Sequence, residues 1–304
     1  MLDSSEQLIQ PIGHDQNFQS IVIMPNNDSA TNESSNPTQK QDVDQAIQQQ
    51  SASQQDPRVK QLKANLIDSG LGHIEHVAWF NHIGSTNDAI KQLNAPALVI
   101  SNQQTAGRGQ AGRAWYSPTG NLYLSLLCTL QHPLSGRLAL EVALSLVNMP
   151  LLGHHAGLGI KWPNDLYFNQ AKWGGILIEP LHDNKVVIGV GINLNPMPHT
   201  IDNQEVTDLS TILGEKIDPL VLATQTTVAL IDACNTFEHG SLELTKRFAS
   251  FDIFLEQKVT VSNAAQADLV GTVIGIQADG ALRLSCADGI KIIYSGQVRP
   301  LLKK

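Results

Sequence analysis

The residues of this chain best suited to chemistry fall in four short stretches, each made of types that polar ligands require. The first runs from Gln103 to Arg113 and reads QQTAGRGQAGR. Its glycines, Gly107, Gly109 and Gly112, let the backbone come close to a ligand and turn its amides inward, while Arg108 and Arg113 add positive charge. That combination suits a phosphate or a condensed anhydride. It is neither a P-loop nor a dinucleotide fingerprint, because it lacks GxxxxGK[ST] and an immediate strand-to-helix turn. Taken alone, such a loop is as readily a flexible surface segment.

The second stretch, Lys161-Trp162-Pro163-Asn164-Asp165-Leu166, ends a strand. Asn164 and Asp165 offer oxygens of the kind that suit Mg²⁺ or an incoming amine, although a plain Pro-Asn-Asp turn is the commoner meaning. The third, Lys172 to Glu179 (KWGGILIE), sets a lysine before a buried strand, where it can contact an acyl or phosphoryl oxygen. A solvated lysine at a strand entrance is the commoner explanation for any single case. In the fourth, Val187 to Asn195 (VIGVGINLN), glycines alternate with β-branched residues, so that a ligand or another backbone can approach the strand closely. Taken alone, tight core packing is the better explanation of this pattern.

These stretches need a frame to hold them. Arg58–Asp68 reads as a short helix stopped by Gly70 and Gly72, and His76–His82 as a strand. Ser85-Thr86-Asn87-Asp88 supplies cap chemistry for a helix running to about Leu93. Ala97–Ser101 and Leu122–Leu130 are apolar strands, and Arg137–Val147 is an amphipathic helix stopped near Pro150. Three apolar segments follow in quick succession, Leu158–Trp162, Gly175–Glu179 and Val186–Leu194, which predicts adjacent strands of a mainly antiparallel sheet. Leu220–Phe237 is a long helix. After Gln257 come short strands, Val259–Val261, Gly271–Gln277, Ala281–Ser285 and Ile290–Tyr294, with Asp-Gly turns at 279–280 and 288–289. They predict a small β-barrel.

The chain has 304 residues, 42% of them apolar, enough for a sizeable core, with no apolar run long enough to be read as a membrane span. The first residues have neither a basic nor an apolar leader region, so no secretory signal is expected. Three cysteines, Cys128, Cys234 and Cys286, stand far apart in sequence; the expectation is reduced thiols in a cytoplasmic protein rather than a disulfide framework or CxxC site. Of the net charge of −8, residues 1–56 hold eight acids against Lys40 alone, leaving the body near neutral and without a footprint for nucleic acid. That Gln/Asn/Ser-rich segment is expected to be disordered, with Phe18–Met24 as its one candidate strand; a misassigned start would explain it equally well.

Taken together and in this order, Ser85-Thr86-Asn87, QTAGRGxxGRxW, KWPNDL, KxxGIL and GxGINL resemble the biotin–protein ligase family over roughly residues 75–300. The resemblance implies an α+β fold like that of class II aminoacyl-tRNA synthetases, a mainly antiparallel sheet with flanking helices, followed by an SH3-like β-barrel. The implied domains are an acidic tail over 1–56, a catalytic domain over 57–254 and a C-terminal domain over 255–304. The implied activity converts biotin and ATP, accompanied by Mg²⁺, into biotinoyl-AMP and pyrophosphate. A lysine of the biotin carboxyl carrier protein of acetyl-CoA carboxylase then takes the acyl group.

By the same resemblance, Ser85, Thr86, Asn87 and Gln104 hold biotin, and Arg108, Gly109 and Gln110 belong to the loop that covers it. Arg113 is placed for ATP phosphate and Trp115 for packing beside the ligand. Lys172 contacts the biotin carboxylate and the adenylate. Asp165, beside Asn164, orients the acceptor lysine or a metal, and Asn193 helps enclose the adenine. Lys172, Arg108 and Asp165 form the expected catalytic set.

The chain departs from the family pattern at Gln110, where many members carry arginine, and at Ser295–Pro300, so that Arg299 receives no role. It also lacks the winged helix-turn-helix that makes bifunctional members repressors, so no DNA binding is expected, while a homodimer fits the family's habit of pairing sheet edges. Three other readings stand beside the ligase, the weakest being a catalytically dead biotin-binding or scaffolding protein, against which the retained Lys172, Asp165, Arg108 and Arg113 speak. A lipoate–protein ligase would bring an Arg-Arg-x-Ser-Gly-Gly-Gly type motif, absent here; a biotin-responsive DNA-binding regulator would need a basic face.

Overall fold

The computed structural model describes residues 56–201, 204–263 and 266–301. The expected disorder of the tail and the candidate strand at Phe18–Met24 fall outside them. The first described element is helix α1 (Pro57–Asp68), whose N-cap Asp56 accepts from Arg58 N. It has proline in its first turn, where a missing N–H costs nothing, and it buries Val59, Leu62 and Leu66.

The main sheet takes its strands from apolar runs in the sequence. In chain order they are β1 (His76–Phe80), β2 (Ala97–Ser101), β3 (Leu122–Thr129), β4 (Leu158–Lys161), β5 (Asp165–Phe168), β6 (Ala171–Pro180) and β7 (Lys185–Ile192). In space the order is β1-β2-β3-β7-β6-β5-β4. Only β1 and β2 run parallel; every other pair is antiparallel. Helices flank it: the short α2 (Thr86–Ile90) lies near β2, and α3 (Arg137–Val147) packs against α5 (Pro219–Glu238). Between these lie the two-residue strands β8 (Thr200–Ile201) and β9 (Gln204–Glu205) and the short helix α4 (Leu209–Leu213). Helix α6 (Leu244–Ala249) follows, and its Arg247 makes two bonds of 2.6 and 2.8 Å to Glu141. Glu141 is 1% exposed, so this pairing is what makes its burial tolerable.

The C-terminal part is a five-stranded antiparallel sheet of β10 (Lys258–Asn263), β11 (Gln266–Ile276), β12 (Leu282–Cys286), β13 (Gly289–Ile293) and β14 (Gln297–Pro300), in the order β13-β12-β11-β10-β14. The antiparallel sheet of short strands is as expected; among the described residues its edge strands β13 and β14 are not paired with each other, so no closed barrel is seen. It is tied to the main sheet by backbone bonds that flank Ile160, from its N–H to Phe251 O and from Ile253 N to its O. Trp162 Nε1 adds a buried bond to Gly280 O at 2.9 Å, and Gly280 needs its positive φ of 89° at that turn.

Several details depart from the sequence reading. The helix at Thr86 stops at Ile90 rather than Leu93, and its N-cap Ser85 makes no side-chain cap bond. Strands β5 and β14 and helices α4 and α6 lay unread inside segments taken as turns or tails. Cys128 and Cys234, far apart in sequence, bring their Sγ atoms to 3.7 Å in the interior, and all three thiols are free. Helix α5 is long and apolar enough by length and composition to cross a membrane, with a mean hydropathy of 1.2, yet half of it is buried within the fold.

Asp252 sits where the two sheets join, one oxygen accepting from Phe254 N and the other buried without a partner. Burial raises its pKa from 3.8 to about 6. A folded pKa above the unfolded one means that the stability present at low pH is lost as pH rises through about 6. Asp252→Asn should therefore gain on the wild type between about pH 4 and 7, by on the order of 2 kcal/mol at the upper end. Urea midpoints of both proteins across that range check it; a pH-independent difference would refute the assignment.

Candidate functional site

A cavity of about 500 Å³ opens over the face of β6 and β7. Its floor exists because those strands carry glycine at the positions that face it. A Cβ on Gly191 would lie 2.6 Å from Trp115 Nε1, and one on Gly175 would lie 2.9 Å from the same indole. A Cβ on Gly189 would collide with the Asn87 amide. The close approach read from the glycines is real, and what approaches is Trp115 and Asn87. The Trp115 Nε1–H is buried without a partner. Such a donor is rare in a folded protein.

One wall is built from α2. Ser85, Thr86 and Asn87 are buried at 6%, 3% and 5% exposure, which three polar residues accept only if bonded. Gln104 Oε1 accepts from Thr86 N at 2.9 Å and Thr86 Oγ1 at 3.1 Å, while Gln104 Nε2 donates to Ser117 Oγ. Ser125 Oγ, on β3, lies 2.6 Å from Asn87 Oδ1 and 2.8 Å from Thr86 Oγ1. Asn87 Nδ2 donates to Glu179 Oε2 at 2.7 Å. Ser85, with no cap bond, keeps its hydroxyl for the cavity.

The roof is a hairpin. Arg108 bridges Ala114, Gly109 N donates to Arg113 O at 2.7 Å, and Trp115 N to Gly107 O at 2.9 Å. Its tip, Gln110–Gly112, is a single 3₁₀ turn with Ala111 at φ 54°. Gln110 and Arg113 both line the cavity, and Arg113 Nε donates to Gln110 O. Arg108 lines the cavity as well, with its guanidinium paired to the Asp88 carboxylate.

The far wall carries charge. Lys172 Nζ lies 2.6 Å from Asp165 Oδ1 and 4.7 Å from the centroid of the Trp115 ring. A register shift between Leu166 and Tyr167 sets Tyr167 opposite Lys172, and Asp165 opposite Gly175, which carries the lysine back toward the carboxylate. Asn164 Nδ2 is committed to Ile176 O at 2.6 Å, and Asn193 Nδ2 to Thr207 O at 3.0 Å. Both line the cavity as fixed dipoles rather than free donors.

Sequence reasoning passed over two residues of this wall. Lys161 lies 3.5 Å from the Tyr167 hydroxyl, and desolvation lowers its pKa, opposed by the charge of Asp165 and aided by those of Lys172, Arg299 and Arg113. Arg299 reaches the cavity from β14. Among the described residues, Lys161, Arg113 and Arg299 form no ion pair. The only early trace of Lys161 was its place at the head of KWPNDL.

A cavity with a polar amide-and-hydroxyl wall, a roof hairpin and unpaired cations defines a site for an acid and a polyphosphate. Comparison with known proteins agrees. The profile of the biotin/lipoate A/B protein ligase family matches residues 77–195, and that of the biotin protein ligase C terminal domain matches 254–298. The bifunctional ligase/repressor BirA of Bacillus spizizenii is 31% identical over 245 residues, covering 74% of each chain. The biotin–[acetyl-CoA-carboxylase] ligase of Mycobacterium tuberculosis is 27% identical over 254 residues, covering 79% of this chain and 94% of its own. The biotin protein ligase of Aquifex aeolicus, solved with biotin and ATP, superposes with a TM-score of 0.67 at 26% identity, over 75% of this chain and 100% of its own. This chain belongs to the biotin/lipoate protein ligase family.

The glycine floor yields a direct check. Gly191→Ala should lower stability by about 1–3 kcal/mol through overpacking, read from denaturant midpoints. Gly84→Ala, with nothing within 4 Å of its added methyl, should leave the midpoint unchanged. Equal midpoints for both variants would show that Trp115 does not rest on that strand.

Proposed function

We propose that this protein is an ATP-dependent biotin–protein ligase, which forms biotinoyl-AMP and passes the biotinoyl group to a lysine of a biotin carboxyl carrier protein. The observation that carries the proposal is the cavity itself: a preorganised amide-and-hydroxyl wall at Ser85, Thr86, Asn87 and Gln104 faces unpaired cations at Arg113, Lys161 and Arg299. The first suits the polar ureido ring of biotin and the second the phosphates of ATP. The solved relative from Aquifex aeolicus holds both molecules, and the Mycobacterium tuberculosis relative is named for the acetyl-CoA carboxylase it modifies.

The chemistry requires charge neutralisation in the first step and exclusion of water before the second. The biotin carboxylate attacks the α-phosphorus of ATP and pyrophosphate leaves; the acceptor amine then attacks the acyl carbon and AMP leaves. Lys172 is assigned to the carboxylate and the phosphoryl oxygen, Arg113 to phosphate, and Trp115 to packing beside the ligand. Arg108, Gly109 and Gln110 form the cover. Asp165, paired with Lys172, orients the incoming lysine, and Asn164 and Asn193 support the adenylate from the wall. Mg²⁺ would enter as the complex with ATP and offset its phosphate charge. A single carboxylate in the wall, Asp165, suits a metal carried by the substrate.

The domains inferred are 57–254 for catalysis and 255–304 for the C-terminal sheet, behind the segment 1–56. A cytoplasmic setting fits three unpaired thiols. A homodimer by sheet extension would use the β1 edge, because Phe251–Ile253 already covers β4 at Ile160. Relatives named ligase/repressor make a DNA-binding role the second reading; the near-neutral body speaks against it.

Mass spectrometry of a biotin carrier domain incubated with the protein, ATP, Mg²⁺ and biotin should show one biotinoyl group on one lysine. Labelling with lipoate instead would move the assignment to the sister chemistry. Lys172→Ala should reduce adenylate formation by roughly 10²-fold or more, and unchanged pyrophosphate release would remove its role. In gel shifts with biotin-operon promoter DNA, no retardation is expected; a specific shift would restore the regulator reading.

A further inference from the structure

The roof arginine does not hang free over the cavity. Arg108 makes a bidentate pair with Asp88, Nη1 to Oδ2 at 2.5 Å and Nη2 to Oδ1 at 2.6 Å, with Glu179 Oε1 a further 3.7 Å away. Lys91 closes the set at 3.3 Å from Asp88 and 3.2 Å from Glu179. The Arg108 guanidinium holds the Asp88 carboxyl below its ordinary pKa, chiefly through these hydrogen bonds. Two cations and two carboxylates make a neutral quartet on the same wall that carries Asn87, which itself donates to Glu179.

What this pair does follows from the bonds that the hairpin lacks. Among the described residues, every other hydrogen bond of residues 108–114 closes within the hairpin: Gly109 to Arg113, Arg113 to Gln110, and Arg108 across to Ala114. The tip contains no buried residue to anchor it. The hairpin stem is hinged at Thr105 and Ala106, whose amides bond Ile83 O and Gly84 O. Beyond that hinge, among the described residues, the roof's polar tie to the body runs through the Arg108 guanidinium, chiefly to Asp88 and at 3.7 Å to Glu179. It joins the roof to α2, the element that supplies Ser85, Thr86 and Asn87.

We propose that Asp88 is a positioning residue, the anchor of a latch that acts through Arg108 to hold the roof hairpin across the cavity. By setting how often the roof opens, it sets how long a reactive acyl adenylate stays enclosed before a carrier arrives. The second statement rests on the ligase reading; the first does not. Asp88 is half exposed, so replacing it removes the pair without opening a hole in the core. An exposed ion pair is a modest tie, and its bidentate geometry makes it a stronger one, so the expected effects are about three- to ten-fold.

The test compares wild type, Asp88→Asn and Asp88→Glu as full chains. Without ligands, amide hydrogen exchange at Gly109 and Trp115 should quicken about three- to ten-fold in Asp88→Asn. It should stay near wild type in Asp88→Glu, and high salt should narrow the gap between wild type and Asp88→Asn. With biotin and ATP but no carrier, Asp88→Asn should release biotinoyl-AMP to solution about three- to ten-fold faster, while ATP–pyrophosphate exchange stays within about two-fold. Exchange at the roof unchanged in Asp88→Asn overturns the latch. Faster roof exchange with unchanged adenylate release overturns its retaining role. A wild type that forms no adenylate sinks the ligase reading and the retaining role with it, while the ligand-free exchange still decides the latch.

Discussion

The site depends on one steric constraint: a patch of sheet with no side chains on it. At Gly175, Gly189 and Gly191 the floor of the cavity is bare backbone, and the space that a methyl group would take is filled by the Trp115 indole and the Asn87 amide. Both of those residues are attached to something else that matters. Trp115 ends the roof hairpin, so resting the indole on the floor sets the height of the roof. Asn87 belongs to α2, so seating its amide over Gly189 sets the wall that carries Thr86 and, through Gln104, the loop beyond it. A single methyl group at either strand position would push roof or wall away from the sheet. Close packing leaves no slack to absorb such a change.

Electrostatics then divides the cavity into regions of different commitment. The carboxylates near α2 are already matched by Arg108 and Lys91, and the Lys172–Asp165 pair is matched within itself. The uncompensated charge is confined to Arg113, Lys161 and Arg299, where burial already works against the lysine's charged form. A polyanion entering there gains from every charge without first breaking an ion pair, and in a partly desolvated site those gains are larger than in water. The two roof arginines thus differ in kind. Arg113 faces the ligand end, whereas Arg108 is spent on the protein.

Much of this arrangement was legible in the order of residues, and the part that was not has a physical pattern. Apolar runs long enough to be buried on a strand, such as Ala97–Ser101 and Leu122–Thr129, declared themselves, as did the amphipathic Arg137–Val147. Strand β5 did not, because its four residues begin with Asp165 directly after Pro163 and Asn164, the composition of a turn. The motif residues could be named because they cluster in sequence. Their partners could not. Asp88 with Arg108, Asn87 with Glu179 and Cys128 with Cys234 meet only after the sheet has closed, across separations of 20, 92 and 106 residues.

The C-terminal sheet illustrates why such partners matter. From sequence it is an appendix of short strands, separable at about residue 255. In the fold it is seated on the strand that leads into the site: Ile160, Lys161 and Trp162 are consecutive, and the first and third are bonded to the segment around Phe251–Ile253 and to Gly280. Lys161 is thereby fixed from both sides with its amino group in the cavity, and β14 brings Arg299 to the same end. The cationic end of the cavity is therefore assembled by the docking of two sheets. Neither sheet holds it alone, and a binding region built this way can respond to whatever loosens their junction. The half-paired Asp252 carboxylate lies on that junction, one residue from each backbone bond to Ile160. Its burial makes the junction costlier to maintain as pH rises.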